Sequence, residues 1–222
     1  PETEMEPTDE NLLLPAFRYG TSEFLKAIGA SKVVIGVSGG IDSAVNAALY
    51  RSILPAENIL LVNTPTRYNS ELTKGLAAEL AKNLGCQLLT VPIGDFIDET
   101  ADALEGLPLP DDTVHLTGFM KENMQARDRS SRILAALSAA FGGIFTCNAN
   151  KTETTVGYGT LYGDLAGAFA ATADLWKYQI YDLGRKLNAW YGRAVIPEGI
   201  FTVMPSAELS ENQDVTQGKG DP

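Results

Sequence analysis

Six consecutive residues, Ser38-Gly39-Gly40-Ile41-Asp42-Ser43, have the types and spacing to handle a phosphate. Paired glycines let backbone approach a ligand closely and adopt positive φ. A helix starting just after them would present unpaired N–H groups and a partial positive charge. The hydroxyls of Ser38 and Ser43 add donors, and together these make an anion cradle. Asp42 would repel a bare phosphate, but its carboxylate suits a Mg2+ ion that bridges phosphates. No Gly-Lys-Ser/Thr follows the glycines, and no GxGxxG is present, so neither the Walker nor the dinucleotide-binding pattern applies.

The flanking elements must put this hexapeptide at a strand-to-helix turn, and the pattern does so. Lys32–Val37 is a short apolar run rich in β-branched residues, which predicts a buried strand. A helix is predicted over Ala44–Ile53, preceded by a leading helix over Leu12–Ile28. Further strands are expected at Asn58–Val62, Gln87–Val91 and Gly143–Thr146. Leu72, Leu76, Ala77, Leu80, Ala81 and Leu84 recur at helical spacing, so Ser70–Leu84 reads as an amphipathic helix ended by Gly85. Helices are also expected over Ile93–Leu104, Phe119–Phe141 and Asp174–Leu187. Residues 106–116 read as a loop, residues 148–172 have no clear period, and little pattern follows Pro197. Strands alternating with helices predict an α/β fold, a doubly wound parallel sheet with helices on both faces. Ligands bind beyond the carboxyl ends of such strands. The loops at 38–43, 63–70, 92–95 and 147–165 are therefore the ones to inspect.

Composition narrows the function. The 222 residues carry a net charge of −11, with 45% hydrophobic and 20% charged residues. That balance is ordinary for a globular chain and argues against a surface for nucleic-acid backbones. No run approaches the ~20 apolar residues of a membrane span. Residues 1–10 are crowded with acid and read as a tail or linker, residues 11–210 as one domain, and 211–222 as an irregular, truncated C-terminal segment. Cys86 and Cys147 form no metal spacing, and two lone thiols suggest a reducing, cytoplasmic setting. The single histidine, His115, lies in a Pro/Gly loop and reads as a surface residue.

The hexapeptide matches the SGGxDS loop of the N-type ATP pyrophosphatases, which cleave ATP to AMP and pyrophosphate. Other segments select among them. Glu122-Asn-Met-Gln-Ala-Arg127 resembles the ENxQAR segment of NAD synthetases. Asn150-Lys-Thr-Glu153 followed by Thr160-Leu-Tyr-Gly-Asp164 resembles their NKxE…TxYGD stretch, and Pro205-Ser-Ala-Glu-Leu209 also has a counterpart there. The resemblance runs from about Ile35 to Leu209 and is nearest to the synthetase portion of the glutamine-dependent branch.

The resemblance implies roles residue by residue. Asp42 and Glu153 would hold Mg2+ and act catalytically. Ser38, Gly39, Gly40, Asp42, Ser43, Arg67, Asn148, Lys177 and Ser206 would bind ATP. Asn123, Arg127, Glu153, Tyr158, Tyr162 and Asp164 would bind deamido-NAD. Asn148 stands where the family often has Thr, and the family's usual C-terminal tail, with its basic residue, is missing. The implied reaction forms an acyl-adenylate on the nicotinate carboxylate and resolves it with ammonia. That ammonia would come from solution or from a glutaminase domain absent here. A homodimer is implied as well. Arg129 and Arg132 read as surface charge. The rival readings are a tRNA-modifying ATP pyrophosphatase, disfavoured by the acidic balance and absent CxxC, and a non-catalytic nucleotide-binding module.

Overall fold

The computed structural model describes residues 12–204 and Ser206. The acidic head at 1–10, the segment at 211–222, and all of the Pro205–Leu209 motif except Ser206 lie outside the described residues. Four short strands, β1 (Val33–Gly36), β2 (Ile59–Asn63), β3 (Gln87–Thr90) and β4 (Ile144–Phe145), form one sheet in the order β3-β2-β1-β4. Every pairing is parallel. Alternate residues of a strand face opposite sides, and here both sides are covered. Val33, Ile35, Ile59 and Leu61 join the larger core. Val34, Leu60 and Val62 pack with Leu134 on the other face. This two-sided burial is why these strands read as continuous apolar runs rather than alternating ones.

The larger core is roofed by α1 (Leu13–Ala27), α2 (Ile41–Arg51), α3 (Glu71–Leu84), α8 (Lys177–Tyr191) and α9 (Glu198–Thr202). Nearly the whole of α2 is buried, including Leu49 and Tyr50 at 0% exposure. A helix enclosed on all sides needs apolar or small residues all round, which Ala44, Val45, Ala47, Ala48 and Leu49 supply. α3 begins where the Ser70 side chain accepts from the Thr73 N–H, and it ends at Gly85 in the left-handed region. The opposite face is covered by a continuous helical run: α5 (Gly118–Arg127), a π-helical segment (Asp128–Leu134) and α6 (Ala135–Phe141). α4 (Gly94–Leu104) packs beside α5.

Three expectations change. The helix expected over Phe119–Phe141 is interrupted by seven π-helical residues. The stretch 148–172, expected to be patternless, contains α7 (Lys151–Val156), started by a capping box: the Asn150 side chain accepts from the Glu153 N–H while the Glu153 carboxylate accepts from the Asn150 N–H. Helix α8 starts at Lys177 rather than Asp174 and runs on to Tyr191, and α9 follows Pro197. Residues 106–116 hold no helix, only one antiparallel bridge between Pro108 and Thr113.

The crossovers β1–α2–β2 and β2–α3–β3 cover one face of the sheet, and the chain then returns from β3 through α4 and the α5–α6 run, on the opposite face, to place β4 beside β1. Parallel sheets open a crevice where the winding reverses. Here that point lies between β1 and β4, which pair only over Val33–Val34 and Ile144–Phe145. Beyond it, the Asn148 Nδ2 donates to the Gly36 carbonyl at 2.8 Å and bridges the diverging strands.

Candidate active site

The crevice at this point is a cleft of about 350 Å³. One wall is the Ser38–Ser43 turn. Helix α2 starts at Ile41, three residues earlier than its apolar pattern suggests, so Asp42 and Ser43 lie in its first turn. Its N-cap, Gly40, has no side chain to cap with. The turn is held by its own hydroxyls: Ser43 Oγ donates to the Gly40 carbonyl at 3.1 Å, the Ser38 N–H donates to Ser43 Oγ at 3.3 Å, and the Gly40 N–H donates to Ser38 Oγ at 3.2 Å. Gly39 has φ 91°, and a Cβ there would lie 2.2 Å from the Thr73 carbonyl oxygen of α3. Both the positive φ and the close backbone approach require glycine.

At the mouth of the turn three charges meet. The Lys177 ammonium, on the first residue of α8, is 2.5 Å from Asp42 Oδ2 and 3.6 Å from Glu153 Oε1. Asn150, with no solvent exposure, holds both carboxylates. Its Nδ2 donates to Asp42 Oδ1 at 2.8 Å and its N–H donates to Glu153 Oε2 at 3.1 Å. Burial, then the Asp42 charge, push the Glu153 carboxyl up to about 7, against the pull of Lys177 and the Asn150 N–H. Burial disfavours the Lys177 ammonium, but the facing carboxylates outweigh it and hold its pKa above the usual value.

Two carboxylates face one ammonium here, so with both ionised the cluster carries one more negative charge than Lys177 supplies. Two carboxylates from separate elements, each turning one oxygen to the cleft, fit a hard divalent cation that keeps water and phosphate oxygens as its other ligands. Among the described residues no group of three or more His, Cys, Asp or Glu could hold a metal by itself. Two carboxylates alone would leave such an ion coordination positions open to water and phosphate oxygens.

The opposite wall comes from α5 and the turn after α7. Thr160 Oγ1 donates to Asn123 Oδ1 at 2.8 Å, and the Thr160 N–H donates to Asp164 Oδ1 at 2.9 Å. Among the residues expected to bind ligand, Ser38, Gly40, Asp42, Ser43, Asn123, Asn148, Glu153, Tyr158, Asp164, Lys177 and Ser206 all line the cleft. Three do not. Arg67 is exposed and pairs with Asp98 at 3.1 Å. Arg127 is exposed, its Nε donating to the Leu161 carbonyl at 3.2 Å. Tyr162 is 76% exposed and has φ 63°, a conformation rare outside glycine.

The structure corrects one reading and adds two residues. Arg129 is not surface charge: it lies on the π-helical segment, partly buried, and lines the cleft beside Asn69 and Thr73. Arg132 is at the surface, paired with Asp128 and lying over the Phe96 ring. Asn150 and Thr160 position the site but had no role assigned. The Asn150-x-x-Glu153 spacing is a capping-box signature, and that signal could have found Asn150. His115 is exposed and paired with Glu105 at 2.9 Å, away from the cleft lining. Cys86 and Cys147 are both free and buried. No helix among the described residues is long and apolar enough to cross a membrane.

Comparison with known proteins adds independent findings. The NAD synthase family profile matches residues 18–218. A glutamine-dependent NAD(+) synthetase of Thermotoga maritima is 39% identical over 210 residues, covering 93% of this chain and 35% of the relative. One from Synechocystis is 40% identical over 205 residues, covering 92% and 36%. The chain thus spans about a third of the length of these curated relatives. Among solved structures, the glutamine-dependent NAD+ synthetase of Acinetobacter baumannii in complex with ADP superposes with a TM-score of 0.76 at 31% identity, over 87% of this chain and 36% of that one. The NMN synthetase of Francisella tularensis gives 0.80 at 26% identity, over 94% and 80%.

Proposed function

We propose, from the premise that this chain belongs to the NAD synthase family, that it amidates the nicotinate carboxylate of deamido-NAD with ammonia, using ATP and releasing AMP and pyrophosphate. The observation that carries this reading is the convergence of the Ser38–Ser43 turn, the Asp42–Lys177–Glu153 cluster and the Asn123–Thr160–Asp164 wall on one cleft. A phosphate turn alone would suit many nucleotide binders. A second polar wall facing it gives room for an acceptor whose carboxylate can reach the α-phosphorus.

The residues divide the work as follows. The carboxylate of deamido-NAD attacks the α-phosphorus of ATP, and the bond to the β-phosphate breaks. The Ser38 and Ser43 hydroxyls and the first N–H groups of α2 receive the departing pyrophosphate, where oriented donors act without reorganising. Lys177 supplies a mobile positive charge to the same oxygens. Asp42 and Glu153 would hold Mg2+, which when bound neutralises charge building on the phosphates. Asn150 keeps both carboxylates aimed. Asn123, Tyr158 and Asp164 would orient the acceptor, so that ammonia meets the acyl-adenylate at its carbonyl carbon and displaces AMP. The reaction requires no protein nucleophile, which fits a cleft lined by neither histidine nor a solvent-exposed thiol among the described residues. Positioning of the reactants carries most of the rate.

The finer parts of the proposal are a homodimer, a glutaminase domain in the full-length protein as the ammonia source, and a cytoplasmic location. The length of the curated relatives supports the second. The exposed Phe119, Leu161 and Tyr162 on α5 and the turn against it support the first. A narrower second reading replaces deamido-NAD by the mononucleotide acid. Its support is the similarity to an NMN synthetase over 80% of that chain.

The test is mass-spectrometric detection of products after mixing the chain with ATP, Mg2+, ammonium and either deamido-NAD or nicotinate mononucleotide, with glutamine replacing ammonium in parallel. NAD and AMP formed together only with ammonium is the expected result. Amide formed only from the mononucleotide would move the substrate to the second reading. AMP absent from every arm would overturn the synthetase reading.

A further inference from the structure

Asp42 and Glu153 each have one oxygen held by Asn150 and one oxygen turned to Lys177. The two oxygens left for a metal are therefore the two that the ammonium already contacts. Lys177 stands on anchored backbone. Its backbone N–H donates to Thr152 Oγ1 at 3.0 Å, and the Lys151 N–H donates to the Leu175 carbonyl at 2.8 Å. These bonds fasten the start of α8 to α7, the helix that carries Glu153. Wherever Glu153 is in place, Lys177 is in place as well, and only rotation of its side chain can free the position.

We propose that Lys177 acts as a resident cation between Asp42 and Glu153 while nucleotide is absent, and so makes metal entry depend on arrival of the triphosphate. A metal ion alone must displace an ammonium from half-buried ion pairs and leave that ammonium with no new partner beside it. At such short distances two cations cannot share the pair, because their repulsion in a partly desolvated cleft is large. A triphosphate changes both sides of the exchange. Its oxygens complete the coordination of the metal, and they also give Lys177 a second anion within reach of the same helix position. The cluster then binds metal and nucleotide as one unit and disfavours metal bound without nucleotide. This inference rests on the reading above only in taking Asp42 and Glu153 as the metal's ligands.

The probe is Mn2+, titrated into the full chain without nucleotide and followed by the electron-paramagnetic-resonance signal of the free ion. Lys177→Met removes the ammonium at similar side-chain length, and the expected result is a tightening of Mn2+ binding by ~10-fold or more over the wild type. Lys177→Arg, which keeps the charge, stays near the wild type. Adding Asp42→Asn to Lys177→Met abolishes the gain. Equal affinity of the wild type and Lys177→Met overturns the proposal, as does a gain that survives Asp42→Asn. A second measurement uses the unmodified chain and is immune to misfolding of a variant. The Lys177 ammonium resonance, observed by 15N-lysine NMR, should be unmoved by Mg2+ alone and shifted by Mg2+ with α,β-methylene-ATP. A shift with Mg2+ alone overturns the proposal. Failure of the synthetase reading appears instead as absent AMP in the product assay, so the two failures are distinguishable.

Discussion

Asn150 is fully enclosed, and each polar atom of its side chain is committed to a residue that bears a carboxylate. Replacing it with Ala would leave Asp42 Oδ1 and the Glu153 N–H without a partner. Losing a side chain that orients metal ligands lowers activity by ~10–100-fold. The unmatched buried groups should also lower stability by about 1–3 kcal/mol. Asn150→Ala is therefore expected to fold, melt earlier and turn over slowly. Full activity in steady-state AMP release would remove its positioning role. Glu153 sets a second expectation at this scale. Its carboxyl ordinarily titrates at 4.5 and is pushed up to about 7 in the folded chain. The folded state thus holds the proton longer than the unfolded one, and stability follows the difference in bound protons. The contribution is fully present below pH 4.5 and is lost as pH rises to about 7. Without metal or nucleotide, melting temperature measured across this window should fall more in the wild type than in Glu153→Gln. Parallel curves for the two proteins would contradict the assignment.

Helix α3 is as much a part of the phosphate turn as α2, although it contributes no catalytic group. Its Thr73 carbonyl sits where a Cβ on residue 39 would be, which locks the turn against the helix. Gly39→Ala must either shift α3 or abandon a φ of 91°. Backbone strain of this kind amounts to about 1–3 kcal/mol. The variant should lose that much in urea denaturation and lose more than that share of its ATP affinity by calorimetric titration, because the donors of the turn move. An unchanged unfolding midpoint would mean that α3 does not hold the turn. The π-helical segment works at the same scale. Its i→i+5 bonds widen the helix locally, and π-turns of this sort recur at functional sites. Arg129 and Ser130 of this segment line the cleft, whereas α6 returns Leu137 and Phe141 to the sheet.

The whole molecule is organised around α2, which the sheet, α1, α3, α8 and α9 enclose. Its burial supports both the fold and the aim of Asp42, since Asn46 Nδ2 donates to the Asp42 carbonyl and to Thr172 Oγ1 beneath the site. Truncating Leu49, which has no exposure, should cost about 2–5 kcal/mol. Thermal unfolding of Leu49→Ala checks this, and a melting temperature equal to the wild type's would contradict a core centred on this helix. The loss should fall on stability, with little change in the activity of the molecules that remain folded, because Leu49 lies at the far end of α2 from the cleft.

The sequence by itself determined the layered arrangement. Val33–Ile35 and Ile59–Val62 are apolar without alternation, and only a strand covered on both faces needs that. Leu76, Leu80 and Leu84 repeat at helical spacing because α3 has one buried face. The phosphate turn was legible for a similar reason: Gly39, Gly40, Asp42 and Ser43 act within six residues, so their chemistry is local. What only the tertiary structure decided is the meeting of Asp42, Asn150 and Lys177, which are 108 and 135 positions from Asp42 along the chain. Local patterning says which face of an element is buried, not which two elements close on one another. The direction of Arg129 was hidden as well, because a π-turn changes the angle between successive side chains while leaving a helical composition unchanged. Lys177 shows the difference most plainly. In the sequence it is a lysine after a tryptophan, and only the docking of α8 on α7 sets its charge between two carboxylates.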